Sequence, residues 1–157
     1  MRLAVAALAV LVSLPLAAAP LHSQYLPPDD QSLREGEPEQ QQLLQVTEYS
    51  IVAGNERLSN QQPIPVTAPL FLRLKGKSLA KAATLNQVLI TFDGESKSLK
   101  KPAFDDDTKT LTLNYPLSMY RSLIDMLRNE TVYVQFLTYA NGHIWADLHT
   151  IGGPRAR

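Results

Sequence analysis

The stretch TVYVQFLTYANGHIWADLHTI, residues 131–151, decides the fold. Two runs with apolar residues at alternate positions, Thr131 to Tyr139 and His143 to Ile151, flank Ala140-Asn141-Gly142, the composition of a tight turn. A β-hairpin is expected, and the residue types choose its register. A two-residue Asn-Gly turn would set Val134 and Phe136 on the same face as Asp147 and His149. A three-residue loop, a type I turn followed by a left-handed Gly142 in a bulge, instead groups Val134, Phe136 and Thr138 with Ile144, Ala146 and Leu148. The second register buries a clean apolar face and is the one expected. Its outer face then carries Tyr133, Gln135, Leu137 and Tyr139 beside His143, Trp145, Asp147 and His149.

The same period of two recurs upstream. Leu70, Leu72 and Leu74 alternate with Phe71, Arg73 and Lys75; Val88, Ile90 and Phe92 with Leu89, Thr91 and Asp93; Leu111, Leu113 and Tyr115 with Thr110, Thr112 and Asn114. Gln45 to Val52 reads as a weaker first strand with Thr47, Tyr49 and Ile51 inward. The proline-rich run Pro63 to Pro69 reads as an edge or crossing loop, because proline gives no N–H to a ladder. One helix interrupts the strands: Pro116 ends a strand, Ser118 is a candidate cap, and Tyr120, Leu123, Ile124 and Leu127 recur at helical spacing, with Met119 and Met126 beside them. The helix is expected over an open end of the sheet. The architecture implied is mainly β, a single antiparallel β-sandwich or partly open barrel of about six strands with one inserted α-helix.

Four segments follow. Met1 to Ala19 has one Arg, an apolar run from Leu3 to Val12, then Ser13, Leu14, Pro15 and small residues, the order of a secretory signal peptide. Cleavage is expected between residues 18 and 23, since Pro20 disfavours a cut directly after Ala19. Residues 20–42 hold five acidic residues against one Arg, with prolines and the run Gln40-Gln41-Gln42, and read as a flexible acidic tether. Residues 43–152 form the β-rich domain, about 110 residues, enough for a core without covalent staples. Residues 153–157 are a short basic tail.

There is no cysteine, which removes disulfides, thiol nucleophiles, thiolate metal sites and lipid anchorage through a thioether. From Leu43 onward thirteen Lys and Arg face ten Asp and Glu, too mild an excess for nucleic acid. Asp105-Asp106-Asp107 does not match a calcium loop, whose sixth and twelfth positions would be Gly and Glu and here are Thr110 and Pro116. It reads as a hairpin turn. Gly76-Lys77-Ser78 lacks the first glycine of a phosphate-binding loop, that position being Phe71. Lys75, Lys77, Lys81, Lys97, Lys100 and Lys101 make a basic stretch that reads as a solvated charged edge. His143 and His149 lie about 20 Å apart along one strand and cannot share an ion, whereas Asp147 and His149, roughly 6 to 7 Å apart, supply two ligands without a third.

The outer face of the final hairpin is therefore the site expected. Tyr133, Leu137, Tyr139, His143, Trp145, Asp147 and His149 combine rigid aromatic area with hydrogen-bonding groups, the composition of protein-binding hot spots. The expectation is an exported, soluble, non-enzymatic protein of bacterial periplasmic or secreted type that engages a protein partner as inhibitor or immunity factor, envelope-assembly accessory or adhesion module. It carries no expected cofactor, metal, nucleic acid or stable membrane anchor. The alternatives are a small envelope-acting hydrolase using Asp147 and His149, and a carrier with Met119 and Met126 against an apolar ligand.

Overall fold

In the computed structural model, which describes residues 25, 36–54, 70–80, 84–93 and 100–151, seven strands form one mixed sheet curled into a half-barrel. They are β1 (Gln40–Ala53), β2 (Leu70–Ser78), β3 (Gln87–Asp93), β4 (Ala103–Asp105), β5 (Thr110–Pro116), β6 (Val132–Thr138) and β7 (Ile144–Thr150). Their order in the sheet is β4-β5-β3-β2-β1-β6-β7. The partly open barrel is thus the form taken, with two departures from expectation. A seventh strand, β4, is only three residues long and carries no alternation to reveal it. The β4–β5 hairpin folds back so that β5 fills the place beside β3 in parallel, so the sheet is mixed rather than wholly antiparallel.

The three upstream alternations hold as read. Leu72, Leu74, Val88, Ile90, Phe92, Leu111 and Leu113 all enter one buried cluster, with Leu70 and Tyr115 packed against it. Each fully buried leucine contributes about 1.5–3 kcal/mol over an exposed one. The hairpin register also holds: Val134 opposes Leu148, Phe136 opposes Ala146 and Thr138 opposes Ile144. Gly142 has φ of 82°, a left-handed backbone that closes the three-residue loop, where its N–H donates to the Tyr139 carbonyl at 2.9 Å.

The first strand is longer than expected, and of its expected inward set Tyr49 packs on the core whereas Thr47 and Ile51 do not. The strand begins at Gln40, so the last three residues of the acidic segment belong to the sheet, and both Leu43 and Leu44 have zero exposure. Between Val46 and Glu48 the register against β2 slips, leaving Thr47 as an extra residue. Inward positions therefore switch from even, as at Leu44, to odd, as at Tyr49; Thr47 is exposed, and Ile51 is 39% exposed near the strand's end. Opposite the bulge stands Gly76, where an added Cβ would lie 1.9 Å from the Gln45 carbonyl oxygen. Close backbone approach, rather than phosphate binding, is the reason for that glycine.

A short 3-10 turn, Leu117–Met119, leads into α1 (Tyr120–Asn129). Met119 occupies the cap position and no side chain caps, so Ser118 does not take the role its type suggested. Leu123 and Ile124 enter the concave core, and the Tyr120 ring meets Phe92 edge-on at 5.4 Å, at the end of β3. Met126 packs against that core while Met119 is 39% exposed. Beyond the end of β2, Leu79 donates to the Leu43 carbonyl, and Gln42, itself buried, accepts from the Thr84 and Leu85 amides at 3.0 and 3.1 Å. One amide side chain thereby satisfies two loop donors and holds Leu85 in the core.

The signal-peptide and basic-tail readings, the proline-rich run, Lys81 and Lys97 lie outside the described residues. Among the described residues no helix is long and apolar enough to cross a membrane.

Candidate functional site

Strand pairing arranges the outer side of β1, β6 and β7 into three rows: Gln41, Leu137 and Trp145; Leu43, Gln135 and Asp147; Gln45, Tyr133 and His149. Five of the seven expected site residues share this plane. Tyr139 and His143 stand at the turn just beyond it, joined by a hydrogen bond from the Tyr139 amide to the His143 carbonyl. The His143 amide in turn donates to the Asn141 side chain at 3.0 Å, and the exposed His143 ring lies 3.5 Å from the same amide group. That geometry makes Asn141 a turn former as well as part of the loop signal.

The face is less open than its composition suggests. Tyr133, Tyr139, Trp145 and Asp147 are half-buried, but Leu137 has zero exposure and His149 only 6%. Leu43, beside Gln135, is also fully buried although it points away from the concave core formed around Leu44. Part of the cover comes from Tyr25 and Gly36. The Tyr25 ring packs on Tyr133 with centroids 5.4 Å apart, and Gly36 lies close to the Tyr139 ring. Leu137 and His149 are therefore not surface contacts in this arrangement; sequence patterning identified their face correctly but not its covering.

Asp147 and His149 meet as their spacing allowed, with Oδ1 2.5 Å from Nδ1. The imidazole stacks beneath Tyr133, centroids 6.1 Å apart, and its Nε2 is buried with no hydrogen-bond partner. The carboxylate orients the ring, yet the nitrogen that would exchange a proton with a substrate is closed off. Gln41 Nε2 is likewise buried without a partner, giving this face two unmet polar atoms among the described residues. Among the described residues no three His, Asp or Glu side chains group as a metal centre requires. Asp105 is a turn residue: its carboxylate accepts from the Asp107 and Thr108 amides, and its hydrogen bonds with Thr108 hold its pKa below the usual value.

A second feature arises from the curl of the sheet. The half-barrel leaves a seam where β7, ending the sheet on one side, faces β5 and the segment before β4 on the other. A groove of about 350 Å³ is lined by Lys101, Pro102, Gly142, His143, Ile144 and Trp145, and a second of similar volume continues it past Asn114, Tyr115 and Ala146. The expected single basic stretch is divided by the fold: Lys75 and Lys77 are exposed on β2, whereas Lys100 and Lys101 border the seam. Nothing local in the sequence marks the seam, because it exists only once the sheet has curled.

Tyr115 spans it. Burial, reinforced by the Asp147 carboxylate, pushes the phenol up to about 12, while a hydrogen bond with the Leu148 backbone opposes the shift. A raised folded-state pKa means the neutral phenol is favoured in the native protein, so this contribution to stability is complete below pH 10 and is lost as pH rises towards about 12. Tyr115→Phe is expected to cost about 1 kcal/mol at neutral pH through the lost hydrogen bond, and to flatten the fall in stability in that alkaline window. Urea midpoints at neutral pH and across the window check both; an unchanged alkaline slope would contradict the assignment. No known protein family, curated protein or solved structure matches this chain.

Proposed function

We propose that this is an exported, non-enzymatic protein that binds a protein partner through the outer face of its C-terminal hairpin. The observation that carries the reading is that the outer face of β1, β6 and β7 sets leucine and aromatic side chains among its glutamines, although the other side of the sheet already holds the core. The concave side holds the core and helix, yet the opposite side still places Leu43, Leu137, Tyr133 and Trp145 together in a plane. An antiparallel sheet with one solvated face normally alternates apolar with charged residues. Here the alternate positions hold aromatic residues around a buried leucine, with polar atoms still lacking partners. That is the form of a binding face with aromatic anchors. The N-terminal order of charge, apolar run and small residues supports export, with the periplasm or exterior as the place of work.

The test is capture of envelope and extracellular proteins from the source cells on the immobilised mature protein, with binding to the identified partner then measured. Trp145→Ala and Tyr139→Ala are each expected to weaken that binding by about tenfold or more, with urea midpoints little changed. If both substitutions lower the midpoint by equal large amounts, or leave affinity unaltered, the face is a structural layer and the reading fails.

A further inference from the structure

β7 ends the sheet, and the hairpin geometry fixes which of its backbone groups face outward. The Tyr139 amide bonds to the His143 carbonyl, and in an antiparallel ladder such pairs recur every second residue. With Leu137 opposite Trp145 and Gln135 opposite Asp147, the odd residues of β7 turn their N–H and C=O towards β6. The even ones, Ile144, Ala146 and Leu148, turn theirs to the seam. Ile144 and Ala146 border the two grooves, and no strand among the described residues pairs with them.

The opposite wall is chemically different. Pro102 has no N–H, so the segment before β4 is a poor ladder partner. Lys100 and Lys101 beside it are exposed and positive, and both border the second groove. Lysines on a sheet edge discourage pairing with neutral or basic strands. They admit an acidic one.

We infer that the seam is a docking site for an extended, acidic segment of a partner protein, which adds as a strand to the β7 edge. Its backbone takes the outward groups of Ile144 and Ala146, its acidic side chains meet Lys100 and Lys101, and its other side chains face the apolar groove beside Leu113. The site lies on the edge of the hairpin and borders the outer face at His143 and Trp145, but it is argued from the β7 edge and the lysines rather than from that face. The two fail separately: Tyr139→Ala probes the face and Lys101→Glu the seam.

Trp145, the chain's one tryptophan, lines the groove and serves as reporter. The full-length protein is titrated with a synthetic peptide alternating Glu and Val, following tryptophan emission. A saturable change is expected that weakens with salt. Lys101→Glu, a substitution at an exposed position that leaves the urea midpoint in place, is expected to reduce affinity by about tenfold. The same peptide N-methylated at alternate backbone nitrogens, and a Lys-Val peptide, are expected not to bind. Absence of a saturable change overturns the proposal. Equal binding of the N-methylated peptide overturns strand addition, and equal binding of the Lys-Val peptide overturns the acidic preference.

Discussion

Gly76→Val is expected to lower stability by about 3 kcal/mol or more, at or beyond the upper end of ordinary overpacking. The first atoms a new Cβ would meet belong to backbone: the Gln45 carbonyl oxygen at 1.9 Å and its carbon at 2.8 Å. Side-chain rotation cannot relieve such a contact, so β1 and β2 must separate at the bulge. β1 lies between β2 and β6, and its register with β2 continues through Ala53. Separation there disturbs the strand on which both the core leucine Leu44 and the outer-face leucine Leu43 depend. Lys77→Val, one residue along β2 and exposed, is the control and should stay within about 0.5 kcal/mol. Urea unfolding followed by circular dichroism reads both, and a Gly76→Val midpoint equal to the parent's would show that β1 and β2 do not approach as described.

The bulge also explains why no local pattern marks the whole of the first strand. Period two is a reliable signal only while the strand keeps one parity, as Leu72 and Leu74, Val88 to Phe92 and Leu111 to Leu113 do. Thr47 resets the parity of β1, so no single inward set fits its fourteen residues. Gln40 to Gln42 resemble tether by composition, yet Gln42 is buried because its amide has two loop donors to satisfy, a long-range need that local pattern does not carry. β4 is missed for the opposite reason, being too short to show any period, and the parallel β3–β5 pairing is missed with it. The final hairpin was legible in detail because only one register left an apolar face whole. The same alternation gathered Tyr133, Trp145, Asp147 and His149 onto one plane. What it could not supply was the cover, since Tyr25 and Tyr133 are far apart in sequence and meet only in the fold.

Leu137→Ala is expected to cost about 2–5 kcal/mol, as much as Leu44→Ala on the concave side. Leu137 stands in the outer row between Gln41 and Trp145, where a singly packed sheet would leave it in water, yet none of its surface is exposed. If that cover is firm, truncation leaves a cavity just as it would in the core. If the cover is loosely held, water or neighbouring side chains fill the space, and the cost falls towards about 1 kcal/mol, the transfer contribution of the deleted groups alone. Urea unfolding of the two variants side by side distinguishes these outcomes. A large loss for Leu137→Ala beside a small one for Trp145→Ala would divide the face into a stabilising centre of Leu43 and Leu137 and a rim of Tyr133, Tyr139 and Trp145. Binding strength on such a face comes from anchors that give up little stability when removed, so the rim is where a partner would take hold. A small loss for Leu137→Ala would move the binding centre inward instead, making the covering of Leu137 something that a partner displaces, and would predict that partner binding raises the protein's unfolding midpoint most when Leu137 is intact.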